Sequence, residues 1–354
     1  MCTLWGTAVM PAVTNAAYID GTNGWRLLGT TNARFIAYCA VACRDFAGTG
    51  SVAVANRAIL AKSGDPRCIF VTYTKTAIPA AFTVDEFDGT NGMAIVGGTY
   101  LSEYVVSGDV NGDGLDDIIC TDNPGWGGTK GYIIFGKRRY CREVNLNTLG
   151  TNDGAVLEWN GEPGRPVACG DVNGDGIDDI VYRGVIILGR RAWPAVLDAL
   201  ADVTAFPCRL GVIGDINGDG YADTAANTFT GGWPHAQIYF CQVGYGRPVV
   251  PHVAYDNYAF FNGTNGFVIQ DDGAIQTACR GSDWDGDGYE EAVFAWPLAS
   301  PGGRTSAGEI YITHGGPSPA WSPYVFEPLL LTEGQSNVYE SEMLTNVVIG
   351  RKGA

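Results

Sequence analysis

The chain has 354 residues, with 22 basic and 38 acidic side chains and a formal net charge of −16. Apolar residues make up 46% of the sequence and charged residues 17%, which excludes an intrinsically disordered chain. The net negative charge argues against a nucleic-acid partner, and we find no apolar run of the roughly 20 residues that a membrane-spanning helix needs.

The first segment of the chain predicts a pair of strands. Residues 1–9 are apolar but have no basic residue ahead of them, so we recognise no signal peptide there. Residues 19–24 end on Asn-Gly, a strong turn signal because both residues tolerate a positive φ.

A loop motif of nine residues, rich in Asp, Asn and Gly, then occurs four times in the chain. The copies begin at Asp109, Asp171, Asp215 and Asp283, and an eroded copy begins at Asp45. One apolar strand is predicted before each loop and another after it. A β-branched or aromatic strand that often ends in glycine follows, and then a strand with an Asn-Gly turn. The starts of successive copies lie 44 to 68 residues apart. Repeats of this length are typical of propellers, in which each repeat is one supersecondary unit.

Four short strands per repeat correspond to one propeller blade. We therefore predict an all-β chain that forms a single β-propeller over residues 1–354, with six blades and seven as the alternative. The last blade is shared by the two ends of the chain, which protects both exposed sheet edges. The predicted blades are residues 31–98, 99–160, 161–206, 207–270, 271–332, and 333–354 completed by 1–30.

The four intact loops predict calcium sites. Side chains with oxygen occupy positions one, three, five and nine, and position seven offers a backbone carbonyl. Oxygen donors in a flexible loop suit Ca²⁺ better than Mg²⁺, which demands strict octahedral geometry. The alternative is a set of tight turns that use these residues for backbone geometry alone. The predicted ligands are Asp109, Asn111, Asp113, Leu115 and Asp117; Asp171, Asn173, Asp175, Ile177 and Asp179; Asp215, Asn217, Asp219, Tyr221 and Asp223; and Asp283, Asp285, Asp287, Tyr289 and Glu291.

The eroded copy lacks this donor set. Ala47, Thr49 and Ala53 stand at three of its ligand positions. We therefore predict that the loop at Asp45 binds no metal.

Three motifs together resemble a known repeat family. They are Gly-Thr-Asn-Gly-Phe at 263–267, Gly-Asp-Val-Asn-Gly-Asp-Gly at 108–114 and Tyr-Ile-Ile-Phe-Gly-Lys at 132–137. The combination resembles the FG-GAP repeats of integrin α-subunit β-propellers and their bacterial and protist relatives, over nearly the whole chain. The resemblance implies calcium loops at one face and a protein partner or a glycan bound elsewhere. It also implies a non-enzymatic recognition, adhesion or structural module.

Two other functions stay open. The histidines at 235, 252 and 314 are accompanied by no catalytic pattern, so we predict no enzyme and interpret each as structural or exposed. The first alternative is a lectin, in which Trp126 and Trp233 would stack on sugars. The second is a propeller lyase or hydrolase with an unrecognised site.

Ten cysteines leave the cellular compartment open. Cys120 with Cys141 is the most plausible local disulfide, although the cysteine positions suit buried thiols about as well. The calcium loops favour an extracellular or cell-surface location, where free Ca²⁺ is high enough to fill weak sites.

Overall fold

The structure is a computed structural model. It describes residues 2–4, 24–28, 33–60, 67–73, 80–98, 101–122, 129–138, 142–159, 166–182, 184–198, 203–206, 208–230, 238–253, 260–271, 275–300 and 305–317. The chain forms two compact units. The first is Met1–Cys169 with Ile187–Val203, and the second is Gly170–Ile186 with Thr204–Ala354.

The described residues are built from short strands, with no α-helix among them, so the predicted all-β class is confirmed. Two 3₁₀ turns, Val84–Glu86 and Leu146–Thr148, are present. The strands are β1 Cys2–Leu4, β2 Gly24–Leu28, β3 Ala33–Cys43, β4 Ala53–Leu60, β5 Arg67–Tyr73, β6 Ala81–Thr83, β7 Gly92–Val96, β8 Leu101–Gly108, β9 Asp117–Asp122, β10 Thr129–Ile134, β11 Glu143–Asn145, β12 Gly154–Trp159, β13 Pro166–Gly170, β14 Asp179–Tyr182, β15 Val185–Ile187, β16 Val196–Asp198, β17 Thr204–Ala205, β18 Gly211–Gly214, β19 Asp223–Thr230, β20 Ile238–Gly244, β21 Gly266–Asp271, β22 Thr277–Ser282, β23 Glu291–Trp296 and β24 Glu309–Thr313.

Two sheets of the first unit repeat one pattern. Their strand orders are β11-β7-β5-β4-β3 and β16-β12-β10-β9-β8. In each sheet four strands that are close in sequence pair antiparallel, as the repeat predicts. Strand β9 is buried along its whole length, including the three apolar residues Ile118, Ile119 and Cys120. Cys43, Ile69, Ile95, Ile118 and Ile134 lie in the core that these two sheets share.

A fifth strand extends these sheets in a way that the repeat does not predict. β11 and β16 lie in the connections between the third and fourth strands of their own repeats, and each pairs in parallel with the fourth strand of the preceding repeat. Val144 lies opposite Ile95, and Leu197 lies opposite Leu157. The parallel pairing of β6 with β2 follows the same rule. Within the first unit, each repeat is therefore hydrogen-bonded to the one before it.

The N-terminal strand pair is confirmed. β1 and β2 pair antiparallel, with Thr3 opposite Trp25, and β6 completes their sheet. Trp25 is fully buried and its ring lies 5.5 Å from that of Phe82. The C-terminal part of the predicted shared blade, residues 333–354, lies outside the described residues, so the closure of that blade stays a prediction.

The second unit continues the antiparallel repeat. Its sheets have the orders β18-β19-β20-β21 and β22-β23-β24, and β14, β15 and β17 are consecutive neighbours in a further sheet. Ile213, Ala225, Cys241, Val243 and Phe294 lie in its core. The fourth strand predicted for the last repeat, near residue 325, lies outside the described residues.

The suggested disulfide between Cys120 and Cys141 is wrong, because Cys120 is a free thiol. Its side chain is fully buried in the core at the centre of β9, and burial raises the pKa of the thiol. Cys141 lies outside the described residues. Within the described ranges, no helix is long and apolar enough to cross a membrane.

Candidate metal centres

All five loop copies have glycines in the left-handed region at positions four and six. Each follows the first strand of its repeat, and in the four intact copies position nine is the first residue of the second strand. Glycines at positions four and six have φ between 69° and 93° in the intact loops, a region that side chains with a Cβ rarely adopt. These glycines are Gly112, Gly114, Gly174, Gly176, Gly218, Gly220, Gly286 and Gly288. Gly48 and Gly50 of the eroded loop have φ of 62° and 73°.

The side chains at positions one, three and five of each intact loop turn inward onto the backbone. The carboxylate of Asp109 accepts the N–H groups of Asp113 at 3.0 Å and Gly114 at 2.8 Å. Asn111 Oδ1 accepts the N–H of Asp113 at 2.9 Å, and Asp113 Oδ1 accepts that of Leu115 at 2.9 Å. The loops at Asp171 and Asp215 repeat all four bonds. The predicted ligand oxygens are thus gathered inside each loop.

Position nine holds a buried carboxylate. Asp117, Asp179 and Asp223 are fully buried. In each, Oδ2 accepts the N–H of position two at 3.0 Å. Asp117 Oδ1 also accepts the N–H of Gly136 at 2.7 Å, and Asp223 Oδ1 accepts that of Gly246 at 2.9 Å. The carboxylate therefore joins the loop to the end of the third strand.

Three carboxylates converge in these loops. Burial raises the pKa of Asp117 well above its usual value, and the nearby charges of Asp113 and Asp109 raise it further. The same two causes, burial first, raise the pKa of Asp223, where the neighbours are Asp219 and Asp215. Ionisation of a buried carboxyl beside two others is unfavourable unless a cation neutralises the charge. The donor set is oxygen alone, which fits Ca²⁺.

The carbonyls at position seven stay predicted ligands. The N–H groups of Leu115, Ile177, Tyr221 and Tyr289 donate to the carboxylate at position five of the same loop. This bond holds each position-seven residue against its loop.

The loop at Asp283 has a histidine beside it, His314, which was not among the predicted ligands. Nδ1 of His314 lies 3.1 Å from Oδ2 of Asp285. The ligand atoms of Asp285, Glu291 and His314 all lie within 4.8 Å of one another, and so do those of Asp283, Asp285 and Asp287. His314 is exposed, as expected, and it lies beside the loop at Asp283.

A signal for His314 was present in the repeat. It directly follows the third strand, where Phe135 and Tyr245 stand in other repeats. Aligning this position across repeats would have placed His314 next to the loop of its own repeat.

The eroded loop at Asp45 has the same turn but lacks most of the oxygen ligands. Asp45 Oδ1 accepts the N–H groups of Thr49 and Gly50, so position one still holds the turn. Ala47 and Ala53 are buried apolar residues, and Ala53 stands where the other loops have their buried carboxylate. The residues present do not fit a cation.

Each of four loops is hydrogen-bonded to the repeat that follows it. The carbonyl at position two accepts the N–H of the residue that follows the glycine after the third strand of the next repeat. The bonds are Lys137 to Phe46, Arg190 to Val110, Arg247 to Val172 and Gly316 to Ile216, at 2.8–3.0 Å. A Cβ on Gly246 would lie 2.5 Å from the carbonyl oxygen of Ala222 and 2.8 Å from that of Val172. Only glycine fits between the two loops.

The structure leaves the other sequence-based candidates as predictions. Trp126, Trp233 and His235 lie outside the described residues, and His252 is exposed on the second unit. No model of a known protein family matches the chain, and no curated protein matches it.

Proposed function

We propose that the protein is a calcium-loaded β-propeller of FG-GAP-type repeats, which acts outside the cell or at its surface as a non-enzymatic recognition, adhesion or structural module. The observation that carries the proposal is the same carboxylate cluster in successive loops, with a buried acid at position nine and two further acids at positions one and five.

The eroded loop argues against a purely structural use of these acids. It keeps the aspartate at position one, the two glycines with positive φ and the bonds to Asp45. It does so without acids at positions five and nine. The turn therefore does not require them, and their presence in the other four loops supports a cation.

The propeller is supported by the regular step between repeats. In the first unit, connecting strands pair with the preceding sheet, and in both units the loops bond in series. Radial repetition places antiparallel sheets side by side, and it requires contacts of this kind between neighbouring repeats.

Chelation tests the calcium proposal. A ligand bound only by the native state stabilises it by about 2.7 kcal/mol for each site at about 100 times its Kd. We expect a chelator to lower the thermal midpoint by several degrees or more, and added Ca²⁺ to restore it, while Mg²⁺ at the same concentration restores much less. Equal thermal midpoints with chelator and with Ca²⁺ would contradict the proposal.

Binding and activity assays distinguish a recognition or structural module from a lectin and from an enzyme. Co-purification with a fixed protein partner supports a recognition or structural role. Glycan binding that is lost on chelation would instead identify a lectin. Turnover of a polysaccharide would overturn the proposal of a non-enzymatic protein.

A further inference from the structure

The loop at Asp283 differs from the other three intact loops in its ligands. Position three is Asp285 where the others have asparagine, and position nine is Glu291 where they have aspartate. The residue after the third strand is His314, where other repeats have phenylalanine, leucine or tyrosine. The three differences give this loop a carboxylate in place of an amide, a longer carboxylate and an imidazole.

The imidazole of His314 lies where a ligand would. Its Nδ1 is 3.1 Å from Asp285 Oδ2, and the two side chains are 42% and 43% exposed. Two ligands bound to one Zn²⁺ at tetrahedral angles lie about 3.4 Å apart. The observed separation is close to that of neighbouring ligands, and the exposure leaves a path for an ion to enter.

Glu291 supplies an independent indication of a bound ion. Its side chain is 1% exposed, and Oε1 has no hydrogen-bond partner. The other oxygen, Oε2, accepts the N–H of Trp284. In the equivalent aspartates Asp117 and Asp223 both oxygens accept backbone N–H groups. A buried carboxylate oxygen without a donor is costly, and a cation within reach of the same cluster would satisfy it.

The donor set determines the class of ion. Ca²⁺ takes oxygen ligands, whereas imidazole nitrogen suits Zn²⁺ and other first-row transition metals. The loops at Asp109, Asp171 and Asp215 offer oxygen alone, and the loop at Asp283 adds a nitrogen.

We propose that Asp285, Glu291 and His314 bind a divalent transition-metal ion, with Zn²⁺ as its representative, while the three oxygen-only loops keep calcium. The inference rests on the proposed function in taking these loops as cation sites.

The test is a titration of the full chain with Zn²⁺ in the presence of about 1 mM Ca²⁺, a concentration that fills weak extracellular calcium sites. We expect one Zn²⁺ per chain by calorimetry and by elemental analysis. Loss of a second-shell partner weakens a metal site by about 10–100-fold, so loss of the ligand in His314→Ala should weaken Zn²⁺ binding at least tenfold. His252→Ala is the matched control, because that histidine is exposed and outside the loop, and should bind Zn²⁺ as the wild type does.

A second variant distinguishes loss of the ligand from misfolding of the protein. His314→Phe installs the residue found before Gly136, and should keep the calcium of the other loops while losing the preference for Zn²⁺. With Co²⁺ as the probe, the visible absorption of the wild type should show a nitrogen ligand. This signal should be absent in His314→Ala and His314→Phe.

The outcomes separate the two proposals. Unchanged Zn²⁺ affinity in both His314 variants, or four calcium ions with no preference for Zn²⁺, would overturn this inference alone. Zn²⁺ at the loop of Asp283 with no calcium in the others would overturn the calcium proposal and support the inference. No metal in any loop would overturn both.

Discussion

The acid at position five can be changed without breaking the turn that holds it. Oδ1 of Asp113 accepts the N–H of Leu115 at 2.9 Å, and an asparagine oxygen can accept the same bond. Asp113→Asn should therefore remove a charge and one calcium ion. In the presence of chelator, the variant should have the same thermal midpoint as the wild type. Elemental analysis and thermal unfolding measure the two effects.

Asp45→Asn is the matched control for this substitution, because the eroded loop lacks the other acids. We expect it to leave the number of bound ions unchanged. If Asp113→Asn lowered stability relative to the wild type by the same amount in chelator as in Ca²⁺, the acid at position five would be a turn residue and not a ligand.

The buried acids at position nine predict an unusual dependence on pH. Burial raises the pKa of Asp117 and of Asp223 in the metal-free folded state, so this state binds their protons more tightly than the unfolded chain does. Stability then falls as pH rises from the ordinary carboxyl pKa, near 4, towards the raised values.

Thermal unfolding in chelator measures this effect. We expect the metal-free protein to be more stable near about pH 5 than near about pH 7.5 and Ca²⁺ to reverse the order, because calcium requires the ionised acids. Asp117→Asn should weaken the dependence. A metal-free protein that gains stability steadily from pH 5 to pH 7.5 would contradict the account.

At the level of elements, sequence periodicity predicts strands that are long or fully buried. The apolar run after Asp117 predicted β9, and the Asn-Gly turns predicted the start of β7 and β21. β6, β11 and β16 are three residues long, with one buried side chain between two that are not buried, and this is too short for any periodicity. Their parallel partners come from the preceding repeat, and local sequence does not encode that pairing.

The glycine after the third strand fixes how one loop packs on the next. A Cβ at Gly246 would lie 2.6 Å from Cβ of Tyr221 and 2.5 Å from the carbonyl oxygen of Ala222. Gly246→Ala should therefore force the loops apart and cost about 1–3 kcal/mol in the free energy of unfolding.

Urea unfolding of Gly150→Ala provides the comparison. A Cβ at Gly150 meets only the carboxylate of Asp153, at 3.5 Å, so we expect a change of less than about 0.5 kcal/mol. Equal losses in the two variants would mean that the contact between loops is not tight.

In the molecule as a whole, the ligand positions of the four intact loops hold 13 of the 38 acidic side chains. Four divalent ions would neutralise about half of the formal charge of −16. The loop spacing made the ligand positions predictable, because the donors of each site lie within nine residues. His314 was not predicted, since it comes 29 residues after Asp285 and only the folding of the third strand brings it there. The hydrogen bond from the N–H of Gly136 to the carboxylate of Asp117 was not predicted either, because the two residues are 19 positions apart in the sequence.

The most direct test of the central claim is an anomalous-difference map from crystals grown with Ca²⁺ as the only divalent ion. We expect one peak in each of the three oxygen-only loops at Asp109, Asp171 and Asp215, and none in the loop at Asp45. Loops without peaks at saturating Ca²⁺, or a peak at Asp45 equal to the others, would contradict the claim.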